Sequence, residues 1–138
     1  MEYFVGVFLA LGVGVFATLS RLDRERGFYP VVLIVIASYN VLFAVMGGST
    51  GALVAEAPIL VLFAAAAVWG FKHSLWLVVA ALAGHGVLDF FHPHLIANPG
   101  VPAWWPMFCM SYDVAAAAYL AFQLLPERQY ASASGIRA

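Results

Sequence analysis

Residues 30–46, PVVLIVIASYNVLFAVM, form an apolar stretch that contains no charged side chain. A helix that crosses the hydrocarbon core of a bilayer needs about 20 mainly apolar residues, with a range of roughly 17 to 25. Pro30 is a favourable first-turn residue, and Gly47 and Gly48 interrupt the stretch at its other end. The segment therefore predicts one membrane-spanning helix.

Four other apolar stretches flank this segment, and the 138-residue chain is 64% hydrophobic and only 9% charged. Soluble domains are about 25% charged, and a soluble fold of this size could not bury so much apolar surface. We therefore predict an all-α, polytopic transmembrane helix bundle as a single domain over residues 1–125, followed by a polar, disordered cytoplasmic tail over residues 126–138. The five predicted spans cover residues 3–19, 30–46, 52–70, 74–91 and 106–125.

The basic residues indicate how the bundle is oriented. In a five-span topology all 6 Lys and Arg residues fall on one side of the membrane, and cytoplasmic loops are enriched in these residues. They are Arg21, Arg24 and Arg26 after span one, Lys72 after span three, and Arg128 and Arg137 after span five. We therefore predict that the N-terminus lies outside, that the C-terminus is cytoplasmic, and that the protein resides in the cell inner (plasma) membrane.

The predicted partners follow from the same composition. A net charge of −1 without a basic patch argues against nucleic acid as a partner, so the lipid bilayer is the first one expected. Gly6, Ala10 and Gly14 on span one, and Ala80 and Gly84 on span four, have the small-xxx-small spacing that lets helix backbones approach closely. These stripes pack either within one chain or between subunits, and in the second case the protein is a homo-oligomer.

Ionisable side chains inside the apolar spans are the main functional signal. A charged side chain at the centre of a membrane costs about 2.5–3.5 kcal/mol on insertion scales, so such residues are usually paired or functional. Glu56, His85, Asp89 and Asp113 qualify, and Asn40 is a further polar residue in span two. In the predicted topology all five lie in the outer half of the bilayer, so we expect them to share one polar site.

Span four carries the densest group of these residues. His85, Asp89 and His92 are spaced i, i+4 and i+7, which places them on one face of a helix. Two imidazoles and a carboxylate match the donor set of zinc, and also that of non-haem iron. We predict these three residues as metal ligands, zinc ahead of iron. Pro93 is expected to release His94 from the helix so that His94 can join them.

Five further residues are assigned roles around this metal site. Glu56 and Asp113 are the predicted catalytic carboxylates, either as general base, as a fourth ligand or as a group that orients a ligand. Asn40 is expected to form an interhelical hydrogen bond. Tyr112 is either a hydrogen-bond donor beside Asp113 or an anchor at the membrane interface. Cys109 either faces the same cavity or is a small buried side chain.

Two stretches, residues 23–48 and 84–113, resemble an uncharacterised family of small bacterial multi-pass membrane proteins with no known activity. The resemblance implies a bacterial membrane origin and does not imply any chemistry. The features that carry it are Arg26-Gly27-Phe28-Tyr29-Pro30, Gly84-His85-Gly86 with Asp89, and Trp104-Trp105-Pro106 through Tyr112-Asp113.

The sequence is compatible with three different functions. The first is a metal-dependent hydrolase, whose lipid or amphiphilic substrate enters sideways from the outer leaflet. The second is a small proton- or cation-coupled transporter, in which the carboxylates and His85 take up and release the ion. The third is a structural or accessory subunit whose polar cluster only locks the helices together.

Overall fold

The computed structural model describes residues 1–134, and the side chains of residues 1–125. Arg137 and the rest of residues 135–138 of the predicted tail lie outside the described residues. Within residues 1–134 the chain forms five α-helices and no strand. All five are long and apolar enough to cross a membrane, which confirms the predicted all-α, polytopic fold. The helices are α1 (Glu2–Ser20), α2 (Phe28–Met46), α3 (Thr50–Lys72), α4 (Leu75–Leu95) and α5 (Trp105–Ser134).

The helix boundaries have local causes. Ser49 caps α3 by accepting a hydrogen bond from the backbone N–H of Ala52, and Ser74 caps α4 by accepting one from Trp76. Arg21 closes α1 in the left-handed conformation, with φ of 65°. These ends lie close to the predicted ones. The largest difference is at α5, which continues through residues 126–134, where the sequence predicted a disordered tail.

Neighbouring helices define the shape of the bundle. α1 packs on α5, α5 on α4, α4 on α3, and α3 on α2. α1 and α2 are instead separated by a groove whose floor is formed by α5. Because the bundle is open between its first two helices, the inner face of α5 is accessible from the side of the protein that faces lipid.

The small residues of α1 account for its contact with α5. Gly6, Ala10 and Gly14 are buried, and a Cβ on Gly6 would overlap the Ser111 side chain and the Phe108 carbonyl oxygen. The stripe predicted on span one therefore serves packing within the chain. The stripe on span four, Ala80 and Gly84, is exposed and has no such role in the single chain.

Candidate functional site

Most of the predicted polar residues are buried between the helices. His85, Asp89 and His92 are 1%, 1% and 2% exposed, which confirms that their spacing places them on one inward face of α4. A buried ionisable group in a membrane bundle needs a partner on another helix. The buried polar residues are Asn40, Glu56, His85, Asp89, His92, Ser111 and Asp113.

Four of the predicted site residues form a compact group, which we call the α4–α5 cluster: His85, Asp89, Cys109 and Asp113. One potential ligand atom from each lies within 4.8 Å of all the others. The Nδ1 atom of His85 lies 2.7 Å from Asp113 Oδ2 and 3.4 Å from Asp89 Oδ2. The cluster therefore brings a nitrogen, two carboxylates and a sulfur to one point inside the bundle.

A glycine allows the helices to approach at this level. The Cβ that Gly86 lacks would lie 3.1 Å from the Met110 carbonyl oxygen and 3.3 Å from the Cβ of Asp113. Because α5 passes so close to α4 at Gly86, Asp113 and Cys109, one turn apart on α5, can reach His85.

The hydrogen-bonding capacity of the α4–α5 cluster is not used up. His85 Nε2, Asp89 Oδ2 and Asp113 Oδ1 are buried and have no hydrogen-bond partner within the protein. A buried polar atom without a partner costs about 1–3 kcal/mol, so each of these three atoms lowers the stability of the protein unless a ligand satisfies it. Imidazole, carboxylate and thiolate are the ligands of protein-bound zinc. The donor set of the cluster therefore fits a bound metal ion.

Glu56 and His92 form a separate pair, which we call the α3–α4 pair. Glu56 Oε1 lies 2.6 Å from His92 Nε2. The Asn98 side chain donates to the same Glu56 oxygen at 3.1 Å and to the Asn40 carbonyl oxygen at 2.9 Å. Asn98 was not predicted as a site residue, because an Asn-Pro-Gly sequence is typical of an ordinary turn. Only the path of the loop over α2 and α3 reveals its role.

The structure thus divides the predicted metal ligands. His85 and Asp89 belong to the α4–α5 cluster, whereas His92 pairs with Glu56 because α3, rather than α5, lies beside it. His94 is exposed, since it is about 200° around α4 from His92. The prediction that Pro93 frees His94 is wrong, because α4 includes both residues and ends at Leu95.

The three supporting residues also have definite positions. Cys109 is buried and joins the α4–α5 cluster. Asn40 is buried, but its contact with Asn98 uses the backbone carbonyl rather than the side chain. Tyr112 is half-buried in the wall of the groove between α1 and α2, where it faces Phe108.

Two cavities border the polar residues. The first, which we call the lateral groove, has a volume of about 570 Å³ and lies between α1 and α2. Its walls are mostly valine, leucine and aromatic side chains, and Cys109 lies in its lining. The second has a volume of about 680 Å³, lies under the α4–α5 loop, and has His92 in its wall. Cys109 of the α4–α5 cluster thus borders an apolar opening, and His92 of the α3–α4 pair borders a loop-side opening.

Comparison with protein-family models, curated protein sequences and solved structures finds no match to this chain. The resemblance to a bacterial membrane-protein family therefore stays a prediction. The fold is that of a multi-pass membrane protein that contains a buried His/Asp/Cys cluster. Its function must be inferred from the chemistry of these residues.

Proposed function

We propose that the protein is a zinc-dependent membrane hydrolase that acts on a lipid or another amphiphile. The observation that carries this proposal is that Cys109 belongs both to the α4–α5 cluster and to the lining of the lateral groove. An apolar groove that opens toward lipid suits an acyl chain or similar tail. A metal ion in the cluster would be suited to hydrolysing the polar bond at the end of that tail.

In this proposal His85, Asp89 and Asp113 hold the metal ion. Catalytic zinc sites have three protein ligands and keep one position open, whereas structural sites are closed by four. Cys109 lines the lateral groove, so a substrate group would approach the metal ion from the side of Cys109. A zinc ion at this place would polarise a carbonyl or phosphoryl oxygen and activate water at neutral pH.

Glu56 is the proposed general base. Asp113 belongs to the α4–α5 cluster, where it is a proposed metal ligand. Among the described residues, Glu56 is the buried carboxylate that lies outside this cluster. His92 and Asn98 hold Oε1 of Glu56, while Oε2 has no partner. His92 also borders the cavity under the α4–α5 loop, so this cavity is the proposed route by which water reaches Glu56.

Elemental analysis of the purified protein tests the metal site. The wild type in detergent should contain stoichiometric zinc, and His85→Gln and Asp89→Asn should lose it. His94→Gln is the matched control, because it removes an exposed histidine from the same helix and should retain the metal. A folded wild type that binds neither zinc nor iron after dialysis against each would refute the metal centre.

A second measurement tests the reaction. Proteoliposomes that contain the wild type should release fatty acid or headgroup from labelled phospholipids, and a chelator should abolish this release. Glu56→Gln should lower the turnover and leave the zinc content unchanged. If the metal is present but no labelled lipid is cleaved, the hydrolase assignment is wrong and the metal site stands alone.

Proton- or cation-coupled transport is the second candidate. The α3–α4 pair favours it, because a buried carboxylate–imidazole pair next to a cavity is typical of proton relays in membrane proteins. A pH-driven flux across liposomes that requires Glu56, in protein without bound metal, would support transport over hydrolysis.

A further inference from the structure

A second polar cavity lies at the end of the bundle opposite the α4–α5 loop. It has a volume of about 440 Å³ and is enclosed by the loop between α1 and α2, the first residues of α2 and α4, and the later part of α5. We call it the first-loop cavity. Its lining combines charged loop residues with the apolar side chains of Leu75, Leu120 and Leu124. A ligand that fits it must therefore have both a polar and an apolar part.

One of the two carboxylates in this lining is already engaged. Asp23 Oδ2 accepts hydrogen bonds from the Thr18 hydroxyl and from the side-chain amide of Gln123. Gln123 also donates to Thr18, and the Thr18 hydroxyl lies 2.9 Å from the hydroxyl of Tyr119. This network joins α1, the loop and α5, so Asp23 is part of the wall.

Arg24, Arg26 and Tyr29 supply hydrogen-bond donors to the cavity that are largely free among the described side chains. Among the residues whose side chains the structure describes, no carboxylate lies within ion-pair distance of Arg24 or Arg26. Arg26 donates through its Nε to the Phe71 carbonyl oxygen at 3.3 Å, its one hydrogen bond within the described part of the chain. Tyr29 is 5% exposed, and its buried hydroxyl has no partner. Among the side chains that the structure describes, Glu25 is the one other carboxylate in the lining.

We infer that the first-loop cavity binds the phosphate group of a membrane phospholipid. Guanidinium groups present planar, paired donors that match phosphate oxygens, and the Tyr29 hydroxyl supplies a further donor from inside the protein. The three leucines can contact the glycerol and the first part of the acyl chains. Basic residues in this loop are also a topology signal, but that role does not require a cavity or a buried, unpartnered hydroxyl.

Native mass spectrometry of the delipidated protein in detergent tests this inference. The probe is dioleoyl phosphatidylglycerol, titrated into wild type and into the Arg24→Gln/Arg26→Gln double variant. The double variant should bind the lipid at least tenfold more weakly, which corresponds to about 1.4 kcal/mol. Arg21→Gln is the matched control, because Arg21 lies in the same loop outside the cavity lining, and it should bind like the wild type.

Tyr29→Phe separates ligand binding from folding. Without lipid, removing a buried hydroxyl that has no partner should leave the thermal midpoint unchanged or raise it. With lipid, the same variant should bind phosphatidylglycerol several-fold more weakly. Equal lipid affinity in wild type, Tyr29→Phe and the double arginine variant would overturn the inference.

Inorganic phosphate distinguishes the source of the phosphate group. It should compete with phosphatidylglycerol only weakly, because it cannot use the leucine side of the cavity. If inorganic phosphate binds with the same dependence on Arg24 and Arg26 while the phospholipid does not bind, the site is for a soluble anion and the lipid assignment is wrong. None of these lipid-binding measurements depends on whether the protein contains zinc.

Discussion

His85 and Asp113 meet across the interface between α4 and α5, where the Nδ1 atom of His85 lies 2.7 Å from Oδ2 of Asp113 and both residues are almost completely buried. Asp89, one turn along α4, lies 3.4 Å from the same nitrogen. A single imidazole thus separates two buried carboxylates. His85 contacts both carboxylates, whereas Asp89 and Asp113 share this one imidazole. The three residues should therefore not contribute equally to stability.

We expect His85→Leu to destabilise the metal-free protein more than Asp113→Asn. Without the imidazole, Asp89 and Asp113 are left facing each other, and removing one partner from a buried ionic group typically costs about 3–5 kcal/mol. In Asp113→Asn, His85 still has Asp89, so a loss of about 1–3 kcal/mol is expected. Thermal unfolding in detergent with a chelator present measures both.

His94→Leu provides the control for this comparison, since His94 is exposed on the same helix and should leave stability nearly unchanged. An equal or larger loss in Asp113→Asn would show that the His85–Asp89 contact contributes nothing, and the description of His85 as the central residue would have to be abandoned.

The spacing of residues on α4 allowed one part of the candidate site to be predicted from the sequence. An i, i+4, i+7 pattern determines which side chains share a helix face, and His85, Asp89 and His92 do share it. The same pattern does not reveal which neighbouring helix lies beside each turn. That depends on packing, and here α5 lies beside His85 while α3 lies beside His92. The predicted single site therefore becomes two adjoining groups.

Other differences arise where local rules compete with tertiary structure. Pro93 was expected to end α4, but a proline near the end of a helix removes only one backbone hydrogen bond, and the helix continues to Leu95. The amide of Asn98 had no signal at all in the sequence, because its partners Asn40 and Glu56 lie far away along the chain. In contrast, the five spans were predictable from hydropathy alone, since the bilayer imposes their length.

Gly6→Ala should weaken the packing of α1 on α5. The added Cβ would overlap the Ser111 side chain and the backbone carbonyl oxygen of Phe108, and the carbonyl cannot move without shifting the helix. Overpacking of this kind typically costs about 1–3 kcal/mol. Thermal unfolding in detergent should therefore show a clearly lower midpoint.

Gly12→Ala is the matched variant, because a Cβ on Gly12 meets nothing within 4 Å. It should be neutral or should stabilise the helix by up to about 1 kcal/mol. If both glycine variants behave alike, α1 does not pack on α5 through its glycine face.

Asn98→Asp should destabilise the protein in a pH-dependent way. The amide of Asn98 donates to Glu56 Oε1, whereas its own oxygen accepts from the Gly100 N–H. The substitution keeps the acceptor but places a second carboxylate beside Glu56. Repulsion between the two should lower the unfolding midpoint at pH 7, and this loss should be smaller at pH 4, because like charges that face each other favour the neutral form.

Asn98→Ala provides the uncharged comparison, since it loses both the donor to Glu56 and the acceptor for the Gly100 N–H without adding charge. Its midpoint should also fall, but by an amount that changes little between pH 7 and pH 4. A pH dependence as strong in Asn98→Ala as in Asn98→Asp would mean that the charge next to Glu56 is not its cause.

The predicted orientation can be tested with introduced cysteines in intact cells that express the protein. Ala97 in the α4–α5 loop and Leu22 in the first loop are both exposed, and neither has a predicted functional role. If the N-terminus lies outside, a membrane-impermeant maleimide should label Ala97→Cys in intact cells and Leu22→Cys only after permeabilisation, because the basic first loop is cytoplasmic. The wild type serves as the background, since its Cys109 is 3% exposed and should not react. The reverse labelling pattern would place the α4–α5 loop in the cytoplasm, and the predicted entry of a substrate from the outer leaflet would then be wrong.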